Sequence, residues 1–401
     1  MKKQVCKTKG KNKSLNIAHV HWGYPPIIGG VETHLITVMP EMVKQGHSVS
    51  ILTGAFEGCE DRYKENGVEI FRTPIMDLNW LNERGINGLE KEIKSIFSGF
   101  IDKVRPDIIN AHNMHYFSKP HAKTLEELAR IKGIPLIISA HNSWDDNLFL
   151  DLTRNIKWDK YIAVSHFIKR ELMGAGVDDR KIAVIHHGID HEKYITNKNP
   201  KNVYKSYPQL KGKKIIFHPA RMGLAKGCDI SIKAMRLVKE RFPDAMLVLA
   251  GTKNIIDWGS HQQKDIAYMV NLVDFFGLRN NVLIDSYPLD LMPSLYSVAD
   301  VCLYPSTVSE PFGLTMLEAM ASAKPMIVTE SGGMPEVIKD GINGFVIPIR
   351  DFEKLASKII QLLDDKRLNH RFGYTGREMV EQHYTKEIVS SNMIRVYRSV
   401  L

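Results

Sequence analysis

The chain has 401 residues, 44% hydrophobic and 25% charged, which is enough for two domains of ordinary size and a large core of globular type. Of its formal net charge of +9, six units come from Lys2, Lys3, Lys7, Lys9, Lys11 and Lys13, so the body is nearly balanced and offers no basic face for nucleic acid. The four scattered cysteines lack metal or disulfide spacing, no apolar leader follows the basic start, and no apolar run is long enough to span a bilayer; a cytoplasmic protein without stable membrane insertion is expected.

From residue 15 onward, short apolar strands alternate with amphipathic helices, the pattern of a parallel sheet covered on both faces. Strands are predicted at 16–20, 48–53, 107–111, 136–140, 160–164 and 183–186, and helices at 31–45, 89–103, 123–132 and 167–173. Pro40 argues for a kink in the first helix or its early end. The stretch 191–212 is polar, rich in Lys and Asn, and lacks periodicity, which marks a linker. A second series starts at 214 with IIFHPARM and continues through elements at 229–241, 245–251, 264–276, 290–299, 300–305, 325–329 and 351–363. A terminal helix with an apolar stripe covers 385–401. The expected division is a disordered basic tail at 1–14, a Rossmann-like domain at 15–190, the linker, a second such domain at 213–384, and the terminal helix. The fold class is α/β, with two facing parallel-sheet domains and a ligand cleft at the carboxyl ends of their strands.

The chemistry concentrates at 309–324, SEPFGLTMLEAMASAK. Glu310 and Glu318 stand eight residues apart, around Pro311-Phe312-Gly313-Leu314, after a buried strand and before an apolar helix. Pro311 fits the first helical turn, Gly313 lets a ligand approach bare backbone, and the amides of Phe312, Gly313 and Leu314 suit an anion. Glu318 has apolar neighbours, so its charge needs a partner or a ligand. One carboxylate serves each end of an elongated ligand. Arg221 and Lys226, in HPARMGLAKG, read either as solvated loop cations or as a diphosphate cradle. Gly29-Gly30-Val31-Glu32 reads either as a turn or as an amide-lined anion site. His141 directly follows a strand, as a satisfied polar residue or a reactive one. His186-His187 and the pair His112 and His115 lack a complete metal-ligand set and read as structural or polar-cleft residues.

The spacing Glu310-x7-Glu318, the Arg221/Lys226 loop, the glycine loop, Gly46-His47-Ser48-Val49 and His141 together resemble the signature of retaining, nucleotide-sugar-dependent glycosyltransferases of family four. That family has two Rossmann-like domains. The resemblance implies that Glu310 and His141 act at the donor sugar, whose position is also set by the amides of Phe312, Gly313 and Leu314. It places the donor diphosphate on Gly30, Arg221 and Lys226, the ribose on Glu318 and the base beside Tyr287. It implies no metal and no other cofactor, since two cations replace the metal of the Asp-x-Asp enzymes, a sequence this chain lacks. The terminal helix would cross back onto the first domain. A UDP-sugar carrying N-acetylglucosamine or glucose leads over GDP-mannose as donor.

On the acceptor side, the carboxylates of Glu32, Asp145 and Asp146 suit a small polar, cationic acceptor. The chain is similar in this respect to the enzymes that glycosylate 2-deoxystreptamine in aminoglycoside antibiotic assembly. A lipid or cell-envelope acceptor, and a nucleotide-sugar epimerase of similar fold, are the rival readings. Oligomeric state leaves no mark in the sequence.

Overall fold

A computed structural model describes residues 13–194, 201–251 and 261–401, with the side chains of 201, 261 and 262 left aside. Two sheets organise it. The first contains β1 (Asn16–Val20), β2 (Ser48–Gly54), β3 (Arg62–Glu65), β4 (Val68–Thr73), β5 (Ile108–His112), β6 (Leu136–Ala140), β7 (Lys160–Ala163) and β8 (Ile182–Val184), in the spatial order β3-β4-β2-β1-β5-β6-β7-β8. All its pairings are parallel except β3 with β4. The second contains β9 (Lys214–Pro219), β10 (Ala245–Gly251), β11 (Val282–Ser286), β12 (Val301–Tyr304), β13 (Met326–Thr329) and β14 (Gly344–Ile347), all parallel, in the order β11-β10-β9-β12-β13-β14. The central strands β5, β6 and β10 are buried at every position, as strands between two helical layers are, and the polar Asn110, His112 and Ser139 among them find partners within the protein.

Several expectations need correction. The first helix, Gly30–Lys44, runs on through Pro40. The bond that proline cannot make would go to the carbonyl of Ile36, a solvent-facing residue, which lowers its cost. The hairpin β3–β4 was not foreseen. It is a two-residue turn at Asn66 and Gly67, with φ of 49° and 84°, the left-handed pair that closes a twisted hairpin. The strands β11 and β14 and the helix Lys366–His383 also lay outside the predicted elements. The linker is not featureless. It contains a 3₁₀ turn at His191–Tyr194, a helix at Lys201–Ser206 and a turn at Pro208–Leu210, and it buries Val203 and Leu210; residues 195–200 lie outside the described part.

The basic tail lies outside the described residues up to position 12. Its last two residues are tied down: Ser14 Oγ donates to the Gly46 carbonyl at 2.7 Å, and Arg398 donates to the Lys13 carbonyl at 3.2 Å. The terminal helix, Lys386–Arg398, packs on the first helix. Val389, Met393 and Ile394 join the core on that face of the first sheet, Gln45 donates to Ser390 at 2.7 Å, and Asn110 of β5 donates to the Tyr397 hydroxyl at 2.7 Å. The chain therefore passes between the domains at Ile189 and again at Thr385, where the two strands of backbone pair: Ile189 N donates to Tyr384 O at 2.8 Å and Lys386 N to Ile189 O at 3.1 Å.

Candidate active site

In the first sheet β2 and β5 flank β1, and in the second β10 and β12 flank β9. At such points successive loops diverge and leave a crevice above the carboxyl ends of the strands. The residues singled out from the sequence fall there. The loop after β1 leads through Gly29 and Gly30 into the first helix, and β5 and β6 deliver His112 and His141. The loop after β9 carries Arg221 and Lys226, and the loop after β12 carries Glu310.

In the second domain, Lys226 Nζ donates to Glu310 Oε2 at 2.7 Å, and the Tyr304 hydroxyl donates to the same oxygen at 2.7 Å. The two loops are stapled together: Thr307 N and Ser306 Oγ donate to the Ala225 carbonyl at 3.0 and 3.1 Å. Burial works against the Lys226 charge, but Tyr304 and Glu310 outweigh it and raise the ammonium above the ordinary lysine value. An ammonium has three donors, so Lys226 keeps capacity for phosphate oxygens. Glu310 Oε1 has no protein partner among the described residues, which leaves it for hydroxyl groups. Arg221 is exposed and makes no ion pair there either. Gly313, at φ 86°, caps the helix Leu314–Ala321. That left-handed residue starts the helix late, so Pro311 stands before it and not in its first turn, contrary to expectation. The Phe312 ring is buried, stacked on His186 at 5.5 Å; what Phe312 can offer a ligand is backbone.

Glu318 meets its expected need for partners inside the protein. Tyr296 donates its hydroxyl to Oε2 at 2.7 Å, and Tyr194 supplies a second hydroxyl. Burial pushes the Glu318 pKa up, while the two hydroxyls pull it back. Tyr287 is different: its ring packs on Tyr207 at 4.9 Å with 2% of the residue exposed, so it turns inward and presents no face to a base. The cause is local, since Tyr287 N extends the sheet by donating to Gly251 O at 3.0 Å.

The first domain holds an array of histidines. His19 Nδ1 lies 2.9 Å from His112 Nε2, His112 Nδ1 lies 2.8 Å from His141 Nε2, and His141 Nδ1 lies 2.8 Å from His187 Nε2. His34 of the first helix stacks on His187 with centroids 4.6 Å apart. Burial lowers the pKa of all five, to about 3 for His19 and His34 and well below the ordinary value for His112, His141 and His187. Both ring nitrogens of His141 are therefore occupied, and in this arrangement the ring has none left for a sugar. Among the described residues no three His, Cys, Asp or Glu side chains gather as metal ligands; these ring nitrogens face one another instead.

The three acceptor-side carboxylates separate. Glu32 is buried, bonded to His21 Nε2 at 3.0 Å, and fills the space against Gly23 and Gly29. Asp146 caps the helix Asn147–Asn155 by accepting from Phe149 N at 2.8 Å. Asp145 alone is exposed and without a partner among the described residues. Gly30 is exposed at the start of the first helix, with open space where a side chain would stand.

Sequence reasoning missed Tyr304, Tyr194, Tyr296 and Glu336. The last sits in the second domain, yet its carboxylate accepts from His166 N and Phe167 N of the first at 2.7 Å each and lies 3.2 Å from His186 Nε2. Tyrosines in apolar surroundings give no signal by spacing. The histidines did: one lies within or just beyond each of β1, β5, β6 and β8, a pattern visible once the strands are aligned by their ends.

Two family descriptions match in series. Residues 28–193 match Glycosyltransferase Family 4, and residues 197–379 match Glycosyl transferases group 1, so the two cover most of the chain. An uncharacterised glycosyltransferase of Methanocaldococcus jannaschii is 28% identical over 404 aligned residues, covering 96% of this chain and 98% of the relative. The N-acetyl-alpha-D-glucosaminyl L-malate synthase of Bacillus anthracis is 29% identical, covering 61% of this chain and 60% of its own. In three dimensions the Anabaena protein HepE, solved in complex with UDP and glucose, aligns with a TM-score of 0.76 at 20% identity, over 96% of this chain and all of its own. Two Rossmann-like domains, the Glu310–Glu318 loop and helix, and these matches make the chain a transferase of the group 1 glycosyltransferases, with a family four domain at its N-terminal side.

Proposed function

We propose that the protein moves a hexose, N-acetylglucosamine or glucose, from a UDP-sugar to a hydroxyl of a small polar acceptor, retaining the anomeric linkage and using no metal. The observation that carries this reading is the Lys226–Glu310–Tyr304 cluster, with Arg221, without an ion pair among the described residues, on the same loop as Lys226 and Gly313 at the head of a helix. As the bond from the anomeric carbon to the diphosphate breaks, negative charge grows on the departing oxygen. Lys226, Arg221 and the amides of Gly313 and Leu314 are fixed donors for it, and Gly30 opens the first helix toward the same phosphates. Glu310 Oε1 takes donor-sugar hydroxyls and Glu318 the ribose. Retaining hydrolases use a carboxylate nucleophile. Glu310 is bonded through Oε2 to an ammonium and a phenol, which makes it a poor one. The acceptor hydroxyl therefore attacks from the face the diphosphate leaves, and its proton passes to the departing phosphate oxygen.

HepE holding UDP and glucose supports the donor class, and the Bacillus anthracis relative supports N-acetylglucosamine. With Glu32 and Asp146 engaged internally, a strongly cationic acceptor such as 2-deoxystreptamine keeps only Asp145 of its three carboxylates, and an acceptor with one amine or none fits better. The test is thermal stabilisation by UDP, GDP, ADP and TDP and their sugars, with and without EDTA, for the wild type and Glu318→Ala. A ligand at a hundredfold excess over its Kd adds about 2.7 kcal/mol. One uridine sugar should stabilise selectively, unaffected by EDTA and less strongly in the variant. Stabilisation that vanishes with EDTA would overturn the metal-free reading, and none by any nucleotide would overturn the donor.

A further inference from the structure

The histidine array does more than occupy the two nitrogens of His141. Its connectivity says more. A neutral imidazole carries one hydrogen on one of its two nitrogens, and each close N···N contact needs one hydrogen between its rings. The contacts run in series, His19 Nδ1 to His112 Nε2, His112 Nδ1 to His141 Nε2, and His141 Nδ1 to His187 Nε2, at 2.9, 2.8 and 2.8 Å. If His19 carries hydrogen on Nδ1, then His112 must carry it on Nδ1, and so must His141 and His187. If His187 carries it on Nε2, all four do. The neutral series has these two states and no others.

Its two ends are alike in one respect. His19 Nε2 and His187 Nδ1 are buried and have no hydrogen-bond partner among the described residues. They differ in place. His19 sits within β1, with Tyr397 of the terminal helix 6.5 Å away, centroid to centroid. His187 lies between the first helix and the loop after β12: its ring is 4.6 Å from His34, one turn into the helix that Gly30 opens, and 5.1 Å from Phe312, two residues past Glu310. A buried polar nitrogen without a partner is destabilising. At His187 a substrate hydroxyl can remove that cost by accepting from Nδ1–H in one state or by donating to bare Nδ1 in the other, and a hydroxyl held in one orientation by its other contacts favours one of the two.

We propose that His19, His112, His141 and His187 form a single tautomeric unit, and that His187 Nδ1 is the atom through which it hydrogen-bonds a hydroxyl of the transferred sugar. The second half rests on the nucleotide-sugar reading. His187 is a sugar-binding residue, and His141 and His112 position it by holding its Nε2 and fixing the state of its Nδ1. The sugar, in bonding to His187, selects one state for the whole series, so its arrival is registered at His19 in β1, beyond β6 and β5 in the strand order.

The experiment is NMR of the full chain labelled with ¹⁵N in histidine, reading ring-nitrogen shifts and the scalar couplings transmitted through N–H···N hydrogen bonds. In the free protein three couplings should link four rings in series, with all four in the same tautomer. Missing couplings, or mixed tautomers within the series, would overturn the unit. UDP-glucose, UDP-N-acetylglucosamine and UDP are then added separately. A sugar nucleotide that stabilises the protein should shift the His187 and His19 nitrogens together, and UDP should not; binding without that shift would overturn the His187 contact. Should no nucleotide bind, the proposed donor and the contact both fall, while the couplings in the free protein still decide the unit. His187→Asn should raise the KM for the sugar nucleotide about tenfold with UDP affinity unchanged, as expected for one lost hydrogen bond. An equal loss for UDP would point to a purely structural role.

Discussion

The two walls of the cleft handle polarity in opposite ways. The second domain buries charge and pairs it: Lys226 with Glu310, with Tyr304 completing the carboxylate, and Glu318 between two phenols. The first domain buries rings that stay uncharged, and lets them bond to one another. Under the proposed function the paired wall meets the diphosphate with its cation already in place. Under the same proposal the neutral array meets hydroxyls. The difference also sets how each wall responds to pH.

The largest effect follows from the histidines. Burial depresses His19, His34, His112, His115, His141 and His187 below the ordinary 6.5, so between the two values the unfolded chain binds more protons than the folded one. Their contribution is complete above about pH 6.5 and is lost as pH falls. Each such group removes somewhat under about 1 kcal/mol between pH 7 and 6, so the six together remove about 4 kcal/mol, and about 7–8 kcal/mol by pH 5.5. Against a stability of about 5–15 kcal/mol, unfolding between pH 5 and 6 is expected. Lys226 moves the other way: its raised pKa stabilises fully below the ordinary lysine value of 10.5 and is lost only in alkali. Urea titrations from pH 8 to 5 test this directly. A flat stability over that range would mean that the rings are hydrated and charged at little cost. His34→Phe, which keeps a stacked ring but removes one proton site, should lower the steepness of the acid limb.

Next in size is the paired wall. Lys226→Ala removes a donor aimed at developing charge and strands Glu310 against Tyr304. Loss of one such fixed donor lowers kcat by about 10²–10³. Glu310→Gln keeps the shape and should lower kcat by a similar factor with a smaller change in melting temperature. A Lys226→Ala enzyme within tenfold of wild type would place the diphosphate charge elsewhere, on Arg221 alone.

How much of this was legible in the chain follows the same division. Sequence-local signals carried through: β1, β6 and β10 occupy the predicted residues, because short apolar runs between polar breaks have few other uses. The Asn66-Gly67 hairpin was equally local and was overlooked, although an Asn-Gly pair between strand-like runs is a strong short-range signal. Glu318 could be read from its neighbours because charge in apolar surroundings must be explained, whereas Glu310, Lys226 and Arg221 took their roles from the resemblance of their motifs. What could not be read was partnership. That Glu32 answers to His21, Asp146 to its own helix and Tyr287 to Tyr207 depends on loops from separate strands meeting, and no spacing along the chain encodes it. Five histidines, unremarkable one at a time, became a site only when the strand order placed β1, β5 and β6 side by side.

The smallest predicted effect tests the seam between the walls. Glu336 belongs to the second domain, but its carboxylate takes two amides at the start of the first domain's helix His166–Gly174 and faces His186. Burial alone would raise its pKa; His186 and the two amides more than offset that and lower it. A depressed carboxylate stabilises above its unfolded value near 4.5 and loses that contribution only below it, outside the range where the histidines titrate. Glu336→Ala should therefore cost about 1–2 kcal/mol, as loss of a helix cap does, measured in urea at pH 8. The same decrement should persist at pH 6.5, because the seam and the histidine wall titrate apart. If it instead grows or vanishes between those two values, Glu336 is coupled to the neutral array through His186, and the two walls are not electrostatically independent.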